Sequence, residues 1–293
     1  MKTFAIIFAA FAAALLLFTR LVAPPNQLDT LDRFWPGGGA VRLASAITFD
    51  AGKGLKLDIW ATPGGNAKKP VLVFFYGGGW ANGERDHYGF AARAYAAKGF
   101  IVVVPDYRKV PQVRFPAFNQ DGAEAVRWVH ENIDRYGGDP ERVALAGHSA
   151  GAYIAMMLTL DRSYLRAVDV NPEIIRATAG LSGPYDFYPY DSKRSINAMR
   201  AWPKPSETQP IVYARKDAPP IMVMTGTADD TVKPRNAILL SRRLHELGAP
   251  VEFRAYNDLT HEDVVMALSK PFRGKAPVLQ DSADFLMKAM KKQ

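Results

Sequence analysis

Ser149 stands in Gly147-His148-Ser149-Ala150-Gly151, a setting in which serine can act as a nucleophile. The run before it, Arg142-Val143-Ala144-Leu145-Ala146, is short and apolar and reads as a buried strand. The run after it, residues 152–158, reads as a helix that opens on small residues. A strand, a Gly-x-Ser-x-Gly turn and a helix make a sharp elbow with the serine at its tip. Gly147 and Gly151 carry no side chain, so strand and helix can close on each other there. The N–H of Ala150 opens the helix and can face a developing negative charge. Outside this context the same five residues would be an ordinary Gly-rich turn.

A serine hydroxyl is a weak nucleophile at neutral pH and needs a base. The chain has five histidines, so elimination is practical. His130 and His245 fall inside expected helices and read as surface residues. His148 precedes the serine, and its side chain should point away from Ser149. His87 follows a glycine-rich stretch but lies ahead of the serine in the chain. His261 sits in Asn257-Asp258-Leu259-Thr260-His261-Glu262, just past the last expected strand, and is the expected base. The base needs an acid to hold its tautomer. Gly226-Thr227-Ala228-Asp229-Asp230-Thr231-Val232 offers Asp229 or Asp230 at a strand end, and composition does not separate them. Tyr76-Gly77-Gly78-Gly79-Trp80 follows a buried strand, and its glycines let the main chain bend and expose N–H groups. No Gly-Lys-Ser/Thr follows, which argues against a phosphate loop.

These groups need a scaffold. Strands are expected at 46–49, 55–60, 71–76, 100–104, 143–146, 177–181, 221–225 and 251–256, and helices at 87–98, 117–136, 150–160, 234–247 and 283–290. Such alternation predicts an α/β fold, a mostly parallel sheet with helices on both faces and chemistry at the carboxyl ends of the strands. The stretch 183–220 breaks the rhythm with Tyr185, Phe187, Tyr188, Tyr190, Trp202 and Tyr213. It is either a small aromatic-rich cap over the site or a surface excursion packed by its own rings.

Of the 293 residues, 48% are hydrophobic, enough for a large core. The net charge of +8 is scattered, without a basic stripe of interleaved aromatics, so nucleic acid is not an expected partner. The absence of cysteine excludes disulfides and a catalytic thiol. No metal or organic cofactor is expected. Residues 3–19 are uncharged and mostly Ala, Leu, Phe and Ile, so 1–23 is expected to be an uncleaved membrane anchor or a cleaved signal peptide. Residues 24–45, opening on Pro24-Pro25, are expected to be a linker, and 46–293 the catalytic domain.

With these pieces placed, the chain resembles the α/β-hydrolase superfamily over about residues 47–285. It looks most like the esterase and lipase branch related to hormone-sensitive lipase, and like the carboxylesterases and arylformamidases with an HGGGW loop. Asp106-Tyr107-Arg108, Phe115-Pro116-Ala117 and Gly137-Gly138-Asp139-Pro140 fall where that family has similar segments. The resemblance implies cleavage of a small-molecule carboxylic ester by Ser149, His261 and Asp229, with Gly78, Gly79 and Ala150 supplying oxyanion N–H groups. It favours Asp229 over Asp230 through the spacing from Gly226 and the following Val232. Two positions depart from the pattern: Tyr76 stands where the loop usually has His, and His148 where the hormone-sensitive-lipase branch often has Asp. The Asp106-Tyr107-Arg108 motif reads as a structural brace. An arylformamidase-like amide hydrolase and a non-catalytic binding protein on the same fold are the rival readings.

Overall fold

The computed structural model describes residues 24–65 and 67–291. The hydrophobic segment 1–23 lies outside the described residues, as do Lys292 and Gln293 at the end of the chain. Among the described residues no helix is long and apolar enough to cross a membrane.

The frame is one eight-stranded sheet in the order β1-β2-β4-β3-β5-β6-β7-β8. Its strands are β1 (Val41–Asp50), β2 (Leu55–Ala61), β3 (Lys69–Phe75), β4 (Ile101–Pro105), β5 (Gly138–His148), β6 (Ile175–Leu181), β7 (Ile221–Gly226) and β8 (Val251–Tyr256). β1 and β2 pair antiparallel, β2 meets β4 antiparallel, and every pairing from β4 to β8 is parallel. In β3 the residues from Val71 to Phe75 are fully buried, as a strand covered on both faces requires. β8 closes one edge with half-buried Glu252 and exposed Arg254 paired at 2.8 Å, which blunts the open edge with charge.

The helices are α1 (Pro24–Phe34), α2 (Gly89–Ala96), α3 (Ala117–Asn132), α4 (Ala150–Leu160), α5 (Ser163–Arg166), α6 (Lys193–Met199), α7 (Arg235–Glu246), α8 (His261–Met266) and α9 (Val278–Ala289). α3 packs with α4 and α2 with α9, and both α4 and α9 lie on β6. All eleven residues of α4 are buried, which matches its unbroken apolar sequence rather than an amphipathic one.

Two element boundaries depart from the sequence-based reading, and the structure also describes the stretch left open between a cap and a surface excursion. The stretch 24–45, expected to be a linker, carries α1 and the first half of β1. Arg93 of α2 clamps α1 to the body through Asp29 and Asp32, both pairs at 2.7 Å. Side-chain pairing across distant parts of the chain leaves no periodic trace in so short a segment. The helix expected from His87 starts instead at Gly89, after a 3₁₀ turn over Arg85–Tyr88. The stretch 183–220 contains α6, and its rings pack on the body: Phe187 lies 6.0 Å from Trp80 and 5.9 Å from Tyr153.

Candidate active site

β5 ends at His148 and α4 starts at Ala150, so Ser149 is the whole turn. It holds φ 55° and ψ −121°, a conformation disfavoured for an L residue that costs about 1–3 kcal/mol. Its N–H donates to the Leu181 carbonyl at 2.9 Å, and its carbonyl accepts from Tyr153 N–H at 3.0 Å. A Cβ on Gly147 would lie 2.5 Å from the main chain of Gly151, and one on Gly151 would lie 2.0 Å from the Phe75 carbonyl oxygen. Side chains at either place would push β3, β5 and α4 apart and release the serine from its strained turn.

Past β7 the chain turns so that Asp229 is buried while Asp230 stays exposed. Asp229 Oδ1 accepts from the N–H groups of Val232 at 2.8 Å and Thr231 at 3.1 Å. Oδ2 lies 2.9 Å from Nδ1 of His261. A carboxylate only accepts, so Nδ1 carries the hydrogen and the imidazole is held in one tautomer, with Nε2 free to take a proton. Among the described residues Asp230 reaches only the Thr231 hydroxyl, at 3.4 Å. His261 opens α8, whose start is set by a capping box between Thr260 and Asp263. The two loops are stitched together: Ala228 N–H donates to the Leu259 carbonyl at 3.1 Å, and Asp258 N–H to the Thr227 hydroxyl at 2.9 Å.

The structure brings one further histidine to this place. The His148 ring lies 4.6 Å from that of His261, and its Nε2–H donates to the His261 carbonyl at 3.1 Å. Burial, and secondly the charge of His261, push its pKa well below the ordinary histidine value, so the ring is neutral. Its Nδ1 is buried without a hydrogen-bond partner among the described residues and faces Gly77, where a Cβ would lie 2.9 Å away. Strand alternation turns His148 away from its neighbour in sequence but does not reveal what it turns toward. His87 and His130 stand elsewhere, 3.9 Å from Glu84 and 3.7 Å from Glu141, and His245 is exposed at the end of α7.

The glycine loop runs beside the elbow. Gly78 has φ 136°, and a Cβ there would fall 2.2 Å from the Asn82 carbonyl, so only glycine fits. The Gly78 carbonyl accepts from Asn82 N–H at 2.9 Å. The N–H groups of Gly78, Gly79 and Ala150 have no acceptor among the described residues. The loop is braced from below: Tyr107 OH donates to the Tyr76 carbonyl at 2.9 Å, and the two rings stack at 4.6 Å. Tyr76 OH accepts from Lys109 Nζ at 3.0 Å and donates to Asp106 Oδ1 at 3.3 Å. Burial holds the Tyr76 phenol well above its ordinary pKa, so it stays a donor. Asp106 also pairs with Arg85, and Arg108 pairs with buried Asp121 at 2.8 Å. Asp106-Tyr107-Arg108 is therefore the brace expected from sequence, and its middle residue carries the contact to the loop.

A family model described as BD-FAE matches residues 57–244. Isoprenylcysteine alpha-carbonyl methylesterase ICME of Arabidopsis thaliana is 29% identical over 247 residues, 77% of this chain and 57% of that protein. Esterase LipQ of Mycobacterium tuberculosis is 29% identical over 248 residues, 78% of this chain and 58% of its own length. The chain thus spans little more than half the length of these relatives. Among solved structures, a truncated carbohydrate esterase from gut microbiota superposes with TM-score 0.74 at 19% identity, over 86% of this chain and 96% of that one. A hyperthermophilic esterase of the archaeon Pyrobaculum calidifontis does so with TM-score 0.74 at 20% identity, over 91% of each. The family match covers well over half of the chain and the sheet is the one those structures share, so the chain belongs to the BD-FAE family, within the esterase and lipase branch of the α/β-hydrolases.

Proposed function

We propose that the protein is a serine hydrolase of carboxylic esters, with Ser149 as nucleophile, His261 as base and Asp229 as the acid that orients it. The carrying observation is the buried Asp229–His261 hydrogen bond of 2.9 Å in the loops that flank a strained Ser149. The names of the relatives, a methylesterase and an esterase, support ester cleavage.

Ser149 Oγ attacks the ester carbonyl carbon as its proton passes to His261 Nε2. Asp229 holds the tautomer and stabilises the imidazolium. The N–H groups of Gly78, Gly79 and Ala150 receive the oxyanion; they are already free of other acceptors, so little reorganisation is needed. His261 returns the proton to the leaving alcohol, and the C–O bond breaks. Water, deprotonated by the same histidine, then splits the acyl-serine and frees the acid. Neutral His148 matters here, because a second cation 4.6 Å from the imidazolium would oppose its formation.

The test is Ser149→Ala assayed on p-nitrophenyl butyrate and labelled with a fluorophosphonate. The expected result is a loss of about 10⁴–10⁶-fold in kcat and loss of the label. Turnover at the wild-type level would refute the mechanism. We further propose that residues 1–23 attach the domain to a membrane or direct its export, and that 183–220 caps the site.

A further inference from the structure

We infer that Arg194 is an anion-recognising arm of this site, so that preferred esters carry a carboxylate on the acyl or the alcohol portion. The inference rests on the hydrolase reading above and adds a substrate class to it.

Arg194 is the second residue of α6, and α6 is pinned at both ends. Ser192 and Ser195 form a capping box at its start, with the Ser195 N–H donating to Ser192 Oγ at 3.1 Å. Near its end the Ala198 carbonyl accepts from Phe115 N–H at 2.9 Å. From this fixed origin the side chain lies on the glycine loop. A Cβ on Gly79 would meet Arg194 Cδ at 2.5 Å and Nε at 3.2 Å. The base of the guanidinium therefore sits over the glycine whose N–H is assigned to the oxyanion. The residue after that glycine, Trp80, packs its ring against Tyr153 and Phe187.

Arg194 combines that placement over Gly79 with the lack of a partner. Arg85, Arg93, Arg108 and Arg142 each hold a carboxylate, and Arg215 holds the Thr159 and Leu160 carbonyls. Among the described residues no hydrogen bond or ion pair engages Arg194, and its side chain is exposed. Its position gains nothing from the helix dipole, which is positive at that end. A guanidinium presents a planar fork of N–H donors that matches a carboxylate in bidentate fashion. A cation held at the mouth of an ester site, with its donors unused, suits a substrate with one anionic group a few bonds from the scissile carbonyl. Pairing with that group would also orient the ester against Ser149.

The experiment compares kcat/KM of the full chain and of Arg194→Gln and Arg194→Glu. The acyl arm sets mono-p-nitrophenyl glutarate against p-nitrophenyl butyrate. The alcohol arm sets carboxymethyl butyrate against ethyl butyrate, followed by pH-stat. The readout is the ratio of anionic to neutral ester within each arm. The expected result is that in one arm this ratio falls about 10–100-fold in Arg194→Gln, and further in Arg194→Glu. Added salt should shrink the wild-type ratio, since an exposed cation is screened. The arm that responds tells where the anion sits. Ratios unchanged by both substitutions overturn the inference, including the case in which anionic and neutral esters lose rate equally. Wild-type protein that neither turns over p-nitrophenyl butyrate nor takes the fluorophosphonate label overturns the hydrolase reading, and the inference with it.

Discussion

His148 donates from Nε2 to the main-chain carbonyl of His261, 113 residues away, and so ties the residue before the serine directly to the loop of the expected base. The bond makes His148 a positioning residue: it fixes where the His261 main chain lies. His148→Ala should lower kcat about tenfold with little change in KM, because it removes a buried hydrogen bond and loosens the base. His148→Gln, whose side-chain amide can reach the same carbonyl, should restore most of the loss. Steady-state kinetics on p-nitrophenyl butyrate check this, and a KM effect as large as the kcat effect would refute it.

The same residue gives the fold a pH dependence. The folded-state pKa of His148 lies well below its unfolded value of about 6.5. Below that unfolded value the unfolded chain binds a proton that the native state refuses. Stability is therefore full above it and falls with acidification, by about 1.4 kcal/mol per pH unit from this group until the folded pKa is reached. Urea melts between pH 7.5 and 5 should show the fall, and His148→Gln should flatten it. Equal slopes in the two proteins would mean that other groups set the acid limit.

Asp229 and Asp230 should separate sharply. Asp229→Asn disturbs the histidine tautomer and should cost about 10⁴-fold in kcat. Asp230 is exposed and reaches only a neighbouring hydroxyl, so Asp230→Asn should cost less than about threefold. Kinetics of the two single variants decide, and the reverse order would move the acid to Asp230.

The tyrosine pair under the glycine loop yields a ranking. Tyr107 OH bonds the loop main chain itself, whereas Tyr76 OH points to Asp106 and Lys109. Tyr107→Phe should therefore lower kcat about tenfold and Tyr76→Phe only about twofold, each losing about 1 kcal/mol of stability. Comparing kcat with urea midpoints checks both, and a larger kcat loss in Tyr76→Phe would transfer the brace to the Tyr76 hydroxyl.

For the N-terminal segment the expected outcome concerns fractionation. Full-length protein should sediment with membranes and resist extraction by high salt, since burial in lipid is not screened by ions. A chain starting at Pro25 should be recovered in the soluble fraction with its activity. Full-length protein in the soluble fraction, still carrying residues 1–23, would rule out an anchor.

Much of this protein was legible from its residues alone. The apolar runs of β3 to β7 and the glycines of the elbow announced a parallel sheet with a serine at a strand end, because backbone conformation is encoded by neighbours a few residues apart. The positions of Ser149 and His261 at the carboxyl ends of strands followed from the same periodicity. Tertiary structure alone decided what depends on contacts between distant segments. The choice of Asp229 over Asp230 was already favoured by the spacing from Gly226 and by Val232; the structure adds its contact with His261, 32 residues on, and the Val232 and Thr231 N–H groups that hold its other oxygen. His148 meets His261, Tyr107 meets the glycine loop, and Arg194 is laid on Gly79, across 113, 31 and 115 residues of chain. Pattern along a chain sets which face a side chain takes; only the packing of one element on another sets what it finds there.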